Sequence, residues 1–261
     1  KMFLDRMSLK KLRNIREANL TLHHKTNVIV GENAAGKTTL LEAVDILSRG
    51  RSFRTNKTEN LVRHGENNFY VGATLGPDKK KLEIEKSKNK TKISIDGKEE
   101  KKQSRLAQEL AIQSIHPNSH SLIEGAPSER RAFLDWGLFH VEHEFRKEWS
   151  GYIKILRQRN EALKTGGGDE KTWMEKLAVS GENVSSLRQK YVLGLEKSIM
   201  ETQKYLMPES EIIFYYEKGW GKDKSFMESL TEKRSLDIDR GYTSSGPQNA
   251  DIKIMLNGRE A

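Results

Sequence analysis

Hydrophobic positions alternate through the first hundred residues and then change period. Met7-Ser8-Leu9 and Ala18-Asn19-Leu20-Thr21-Leu22 set apolar and polar side chains in turn, the pattern of half-buried strands. Val28-Ile29-Val30 is an unbroken apolar run and predicts a short strand buried on both faces. Leu40, Leu41, Val44, Ile46 and Leu47 then fall at mostly helical spacing up to Ser48, with Gly50 as the stop. Phe69, Val71, Ala73 and Leu75, then Leu82 and Ile84, then Ile93 and Ile95 alternate again. Gly76-Pro77-Asp78, the lysine-rich run 86–90 and Asp96-Gly97 lie between them as turns, so an antiparallel meander is predicted. Residues 103–111 read as a helix and 112–115 as a return to the sheet, closed by His116-Pro117.

From Ser128 to Leu206 the sequence is rich in helix formers. Ala132, Leu134, Leu138, Val141, Phe145 and Trp149 trace one amphipathic stripe. A second helix is predicted over 152–164, broken by Gly166-Gly167-Gly168, and a long third one over 173–206. Pro208 ends it, Ile212-Ile213-Phe214-Tyr215-Tyr216 reads as a strand, and 226–233 as one more helix.

Composition narrows the class. At 261 residues the chain favours two compact units. The absence of cysteine excludes a disulfide framework and thiol chemistry. The mean hydropathy is −0.76 and no apolar run reaches a membrane span, while Lys1-Met2-Phe3-Leu4-Asp5-Arg6 is no secretory leader, so a cytoplasmic protein without a membrane partner is expected. A formal charge of +9 suits a polyanionic partner.

The strongest chemical signal lies between the predicted strand 28–30 and the helix after it. Gly31-Glu32-Asn33-Ala34-Ala35-Gly36-Lys37-Thr38 fits G-x-x-x-x-G-K-[ST] in the strand-loop-helix context that the pattern requires. Glycines let successive N–H groups turn toward phosphate oxygens at the positive end of a helix. Gly31, Glu32, Asn33, Ala34, Ala35, Gly36, Lys37, Thr38 and Thr39 are therefore the expected ATP cradle, with Lys37 on the β- and γ-phosphates and the Thr38 hydroxyl on Mg²⁺. No apolar strand ending in Asp follows. The run 212–216 ends in Glu217 and reads as an ordinary strand. Ser244-Ser245-Gly246-Pro247-Gln248 superficially resembles the signature loop of ABC-type ATPases, but Pro247 lacks the N–H such a loop aims at the γ-phosphate.

Three further blocks are familiar in this order. Leu12-Arg13-Asn14-Ile15, the loop with Thr39-Leu40-Leu41-Glu42-Ala43, and Gly50-Arg51-Ser52-Phe53-Arg54-Thr55 together resemble the bacterial RecF recombination proteins, relatives of SMC-type DNA-repair ATPases. Residues 122–135, with Glu129-Arg130-Arg131 at their centre, resemble that family's second block, and 240–251 its third. Asn118-Ser119-His120 stands where the family usually carries acids. The resemblance implies an α/β fold: a P-loop ATPase head of the ABC/SMC type with an antiparallel β region, over residues 1–125, an inserted helical arm over 126–235, and a return to the head over 236–261. It places Arg13 and Asn14 near the nucleotide phosphates. It implies an ATP-gated protein of recombinational repair that recognises gapped or single-strand/duplex DNA junctions, works with the RecO and RecR mediators to load recombinase, and forms an ATP-dependent homodimer. The family's signature loop and Walker B strand follow the third block, so this chain is expected to be a truncated member that binds ATP and hydrolyses it poorly, the full-length protein being a weak DNA-dependent ATPase. Two rivals are a P-loop small-molecule or nucleoside kinase and a basic DNA-binding module that ignores ATP.

Other candidates weigh toward structure. The lysines at 79–81, 86, 88, 90, 92, 98, 101 and 102 either contact phosphates or form a solvated edge. Arg130-Arg131 is read as an ion pair with Glu129 and Asp135 ahead of a DNA contact. His64 is the one histidine placed near a nucleotide, and His140 and His143 on a helix face. Trp136, Phe139, Trp149 and Trp173 read as helical core ahead of a base-stacking surface.

Overall fold

The computed structural model describes residues 2–166 and 169–260. Two of the glycines expected to break the helical region, Gly167 and Gly168, and the chain ends Lys1 and Ala261 lie outside the described residues. The chain forms two compact units, residues 1–115 and 116–261.

In the first unit β1 (Phe3–Leu12) and β2 (Ile15–Thr21) make a hairpin, its turn at Arg13-Asn14 with Leu12 opposite Ile15. After the loop and α1 (Lys37–Arg49), the meander β3 (Asn68–Gly76), β4 (Lys80–Ser87), β5 (Thr91–Ile95) and β6 (Lys98–Glu100) completes a six-stranded sheet in the order β2-β1-β3-β4-β5-β6. Period-two alternation is its cause: Met7, Leu9, Phe69, Val71, Leu82, Ile84 and Ile93 all turn to one face and are at most 3% exposed. Ala43, Ile46 and Leu47 of α1 lie in the same core, and burying a side chain the size of Ile46 or Leu47 contributes about 1.5–3 kcal/mol. Gly50, left-handed at φ 66°, ends α1 and accounts for its stop. A short helix α2 (Ser104–Glu109) adds Leu106 to the core.

Two expectations fail in this unit. Val28-Ile29-Val30 is in no ladder among the described residues, with Val28 79% and Val30 84% exposed. Burial on both faces needs flanking strands and a covering layer on each side, and neither sheet of the described residues includes 28–30. Residues 112–115 likewise add no strand, their chain being held instead by Arg49, which donates to the Ile112 carbonyl at 3.4 Å.

The second unit is mostly helical: α3 (Ser121–Glu124), α4 (Pro127–Val141), α5 (Phe145–Thr165), α6 (Glu170–Leu206), α7 (Phe226–Glu232) and α8 (Arg234–Arg240). The single stripe expected over 132–149 is two helices, because the chain turns extended at Glu142; Val141 is 66% exposed while Phe145 opens the core of the next helix. The long helix is continuous over 37 residues, roughly 55 Å at 1.5 Å per residue. Tyr152, Met174, Leu177, Val184, Phe226 and Leu230 form the core between α5, α6 and α7. Trp149 stacks on Phe145 and Tyr152, so the helical aromatics are structural at this position. β7 (Ile212–Glu217), β8 (Asp251–Leu256) and β9 (Arg259–Glu260) make a small antiparallel sheet. That pairing sets residues 251–256 in the same unit as the helices.

Candidate functional site

The loop 31–36 delivers the chain into α1 with Gly36 as the residue before the first turn, left-handed at φ 99°. A Cβ there would lie 3.3 Å from Ile15 Cγ1 and 3.4 Å from the Asn14 side chain, so this glycine serves both conformation and close approach. No side chain caps α1, and its first intrahelical bond runs from the Leu40 N–H to the Gly36 carbonyl at 3.1 Å. The first-turn N–H groups are thus left to an anionic ligand at the positive helix end. Glu32, Asn33, Ala34, Ala35 and Thr38 are exposed, and Thr39 is buried at 5%.

Lys37 folds back over the loop, its ammonium donating to the carbonyls of Gly31 at 2.8 Å and Glu32 at 2.7 Å. The two carbonyls take two of its three protons and do not balance its charge, which a phosphate would. The uncapped helix, the backbone turn at Gly36 and this cation fit a nucleoside triphosphate. Thr38, exposed on the first turn beside Lys37, is the hydroxyl available to a cation there.

The Arg13-Asn14 turn stands beside this loop, and its side chains have protein partners. Arg13, in the left-handed region at φ 54°, gives Glu42 of α1 two bonds, Nε at 3.1 Å and Nη2 at 2.7 Å. Glu42 is fully buried and also accepts from the Ser52 hydroxyl at 2.6 Å, with Arg54 Nη1 at 3.6 Å. Asn14 donates from Nδ2 to the Ala34 carbonyl at 2.8 Å and accepts the Thr39 hydroxyl at 3.2 Å. Arg63 donates to the Asn14 carbonyl. His64, next along, is exposed in a turn. Glu42, Ser52 and Arg63 are the neighbours that sequence reasoning missed. One signal was legible: Glu42 follows Thr39 by three and precedes Ile46 by four, a charge on the inward stripe of a helix.

The remaining candidates are tied within their own units. Of the lysine run, Lys79 pairs with Asp5, Lys80 with Glu109 and Lys88 with Glu59. Lys86 donates to the Gly50 carbonyl at 3.0 Å, and burial pushes its pKa down. Arg130 pairs not with Glu129 or Asp135 but bidentately with Asp251, at 2.7 and 2.9 Å, and Arg131 donates to the Ala250 carbonyl. Asp135 instead receives Arg188, which also donates to the Pro247 carbonyl at 2.6 Å. Burial raises the Asp135 pKa in spite of that arginine. The second and third sequence blocks are therefore one packed structure. Ser244–Gln248 is held inside it: the Ser244 N–H bonds to Asp237, Ser245 is fully buried, and Tyr152 donates to the Gln248 side chain. Among the described residues no group of acids and histidines is arranged to hold a metal ion.

Comparison with known proteins bears on both units together. Residues 2–236 match the family described as the AAA ATPase domain. The DNA replication and repair protein RecF of Pectobacterium atrosepticum is 36% identical over 262 residues, covering 98% of this chain and 73% of the relative. RecF of Vibrio parahaemolyticus is 36% identical over 263 residues with the same coverage. Among solved structures, that of the recombination mediator protein RecF-ATP in the RecFOR pathway superposes with a TM-score of 0.89 at 28% identity, over 99% of this chain and 74% of that one. The Smc head domain from Pyrococcus furiosus, at a TM-score of 0.55 and 13% identity over 99% of this chain and 72% of that one, shares the fold.

Proposed function

We propose, for a chain that belongs to the RecF family of DNA replication and repair proteins and has its α/β P-loop ATPase fold, that the loop at Gly31–Thr39 binds ATP with Mg²⁺ and that nucleotide gates its binding to DNA. An ATP-binding role in DNA replication and repair rests on the AAA ATPase domain and on the RecF relatives. The finer reading is ours: recognition of gapped or single-strand/duplex junction DNA, work with RecO and RecR mediators, ATP-dependent homodimerisation and a cytoplasmic site of action. The net charge of +9 supports a polyanionic partner, and no helix among the described residues is long and apolar enough to cross a membrane.

One observation carries the nucleotide reading. Lys37, the first residue of the uncapped helix α1, is a cation whose partners among the described residues are backbone carbonyls. When bound, ATP-Mg²⁺ supplies the triphosphate charge and a hard cation. Lys37 would exchange its two carbonyl partners for phosphate oxygens, the first-turn N–H groups would hold the phosphates, and the Thr38 hydroxyl would face the metal. No apolar strand ending in Asp follows the loop to supply a Walker-B-type carboxylate, so poor hydrolysis by this chain is expected.

The test is titration with labelled ATP and Mg²⁺ beside Lys37→Ala, with hydrolysis followed in the same samples and gapped DNA added afterwards. Binding weakened at least about tenfold by the substitution, slow turnover, and DNA affinity that rises with ATP are expected. DNA affinity indifferent to ATP and to Lys37→Ala would favour the ATP-independent module, and phosphate transfer to a small acceptor would favour a kinase.

A further inference from the structure

We propose that Asn14 is a positioning residue of the phosphate-binding loop, setting nucleotide affinity through the loop backbone without touching a phosphate; this rests on the nucleotide reading above. Three residues of the loop and helix start converge on its amide. Nδ2 donates to the carbonyl of Ala34, Oδ1 accepts from the hydroxyl of Thr39, and the side chain lies where a Cβ on Gly36 would approach it to 3.4 Å. The orientation of the amide follows from its partners, since the reverse would set oxygen against the Ala34 carbonyl.

Ala34 shows why the hold matters. It sits at φ 64°, the left-handed region, without being glycine. An L-residue with a Cβ disfavours that conformation, so the loop apex needs an external restraint to keep it populated. Asn14 supplies the restraint from a turn that is itself fixed: Arg13 is bound to buried Glu42, and Arg63 donates to the Asn14 carbonyl. At the other end Thr39 is 5% exposed, and Asn14 is the partner of its hydroxyl. The amide thus ties the loop apex to the first turn of α1, which are the two ends of the stretch whose N–H groups must converge on one ligand.

A group that works through the loop affects every nucleotide that uses the loop, whereas a group on the terminal phosphate affects only the triphosphate. The full chain, Asn14→Ala, Ala34→Gly and the double variant are titrated calorimetrically with ATP and with ADP, each with Mg²⁺. Asn14→Ala is expected to weaken ATP and ADP by similar factors, about tenfold for two lost bonds. Ala34→Gly, which removes the left-handed penalty, is expected to recover part of that loss in the double variant, a coupling read from the cycle. A loss confined to ATP, affinities unchanged by Asn14→Ala, or a loss that Ala34→Gly deepens would each overturn the role while leaving the nucleotide site standing. No nucleotide binding by the unaltered chain would overturn the site and the role together. Asn14 is exposed at a hairpin turn, so the variant is expected to fold; should its melting show otherwise, Asn14→Ser, too short to span both partners, carries the same comparison.

Discussion

Arg13 and Glu42 give opposite forecasts depending on whether Arg13 is a phosphate ligand or a structural partner. In the structure two bonds of 3.1 and 2.7 Å join them, Glu42 is fully buried, and the Arg13 side chain keeps 24% of its surface. Arg13→Met removes the cation and leaves a buried carboxylate with the Ser52 hydroxyl and a more distant Arg54, a change of the kind that costs about 3–5 kcal/mol. Glu42→Gln leaves the arginine, which can turn to water through its exposed quarter, so about 1–3 kcal/mol is lost. The order is the test: Arg13→Met should be the more destabilised, and the double variant should be less destabilised than the sum of the two. Urea denaturation followed by circular dichroism measures it, since the four tryptophans all lie in the second unit, with a shift in midpoint and an unchanged slope. Arg13→Met as stable as the unaltered chain, with its loss appearing only in ATP affinity, would refute this reasoning and return Arg13 to the phosphates.

Two further outcomes concern the second unit. Arg159 is fully buried between Glu170 and Asp237, at 3.0 and 2.8 Å, and donates to Thr243 at 2.7 Å; Arg159→Met should cost about 3–5 kcal/mol in the same denaturation, and a loss under about 1 kcal/mol would contradict the network. Burial pushes the Asp251 carboxyl upward, but the bonds from Arg130 outweigh it and hold its pKa below the ordinary 3.8. A depressed carboxylate stabilises above the ordinary value, and the contribution disappears as pH falls through the folded one. Asp251→Asn should therefore melt below the unaltered chain at about pH 5, with the gap narrowing as pH falls below the ordinary 3.8; a gap independent of pH would mean that the pair's charge adds nothing.

What was legible in the chain was what one segment decides for itself. Alternation at Phe69, Val71, Ala73 and Leu75 reports one-sided burial directly, and β3 to β5 follow it. The phosphate loop is legible for a similar reason: a left-handed glycine, a lysine and an amphipathic helix are consecutive. Val28-Ile29-Val30 misled because burial on two faces is a property of neighbours, and a run of three β-branched residues does not state which strands will flank it. Polar pairs were the least legible. Arg13 meets Glu42 across 29 residues and Arg130 meets Asp251 across 121, and a charged residue beside a turn or on a helix reads as a solvated one until its partner is known. The same holds at the Arg13-Asn14 turn: resemblance implies a place near the nucleotide phosphates, whereas the partner of a guanidinium or an amide is settled by which acceptors the folded chain brings within about 3 Å.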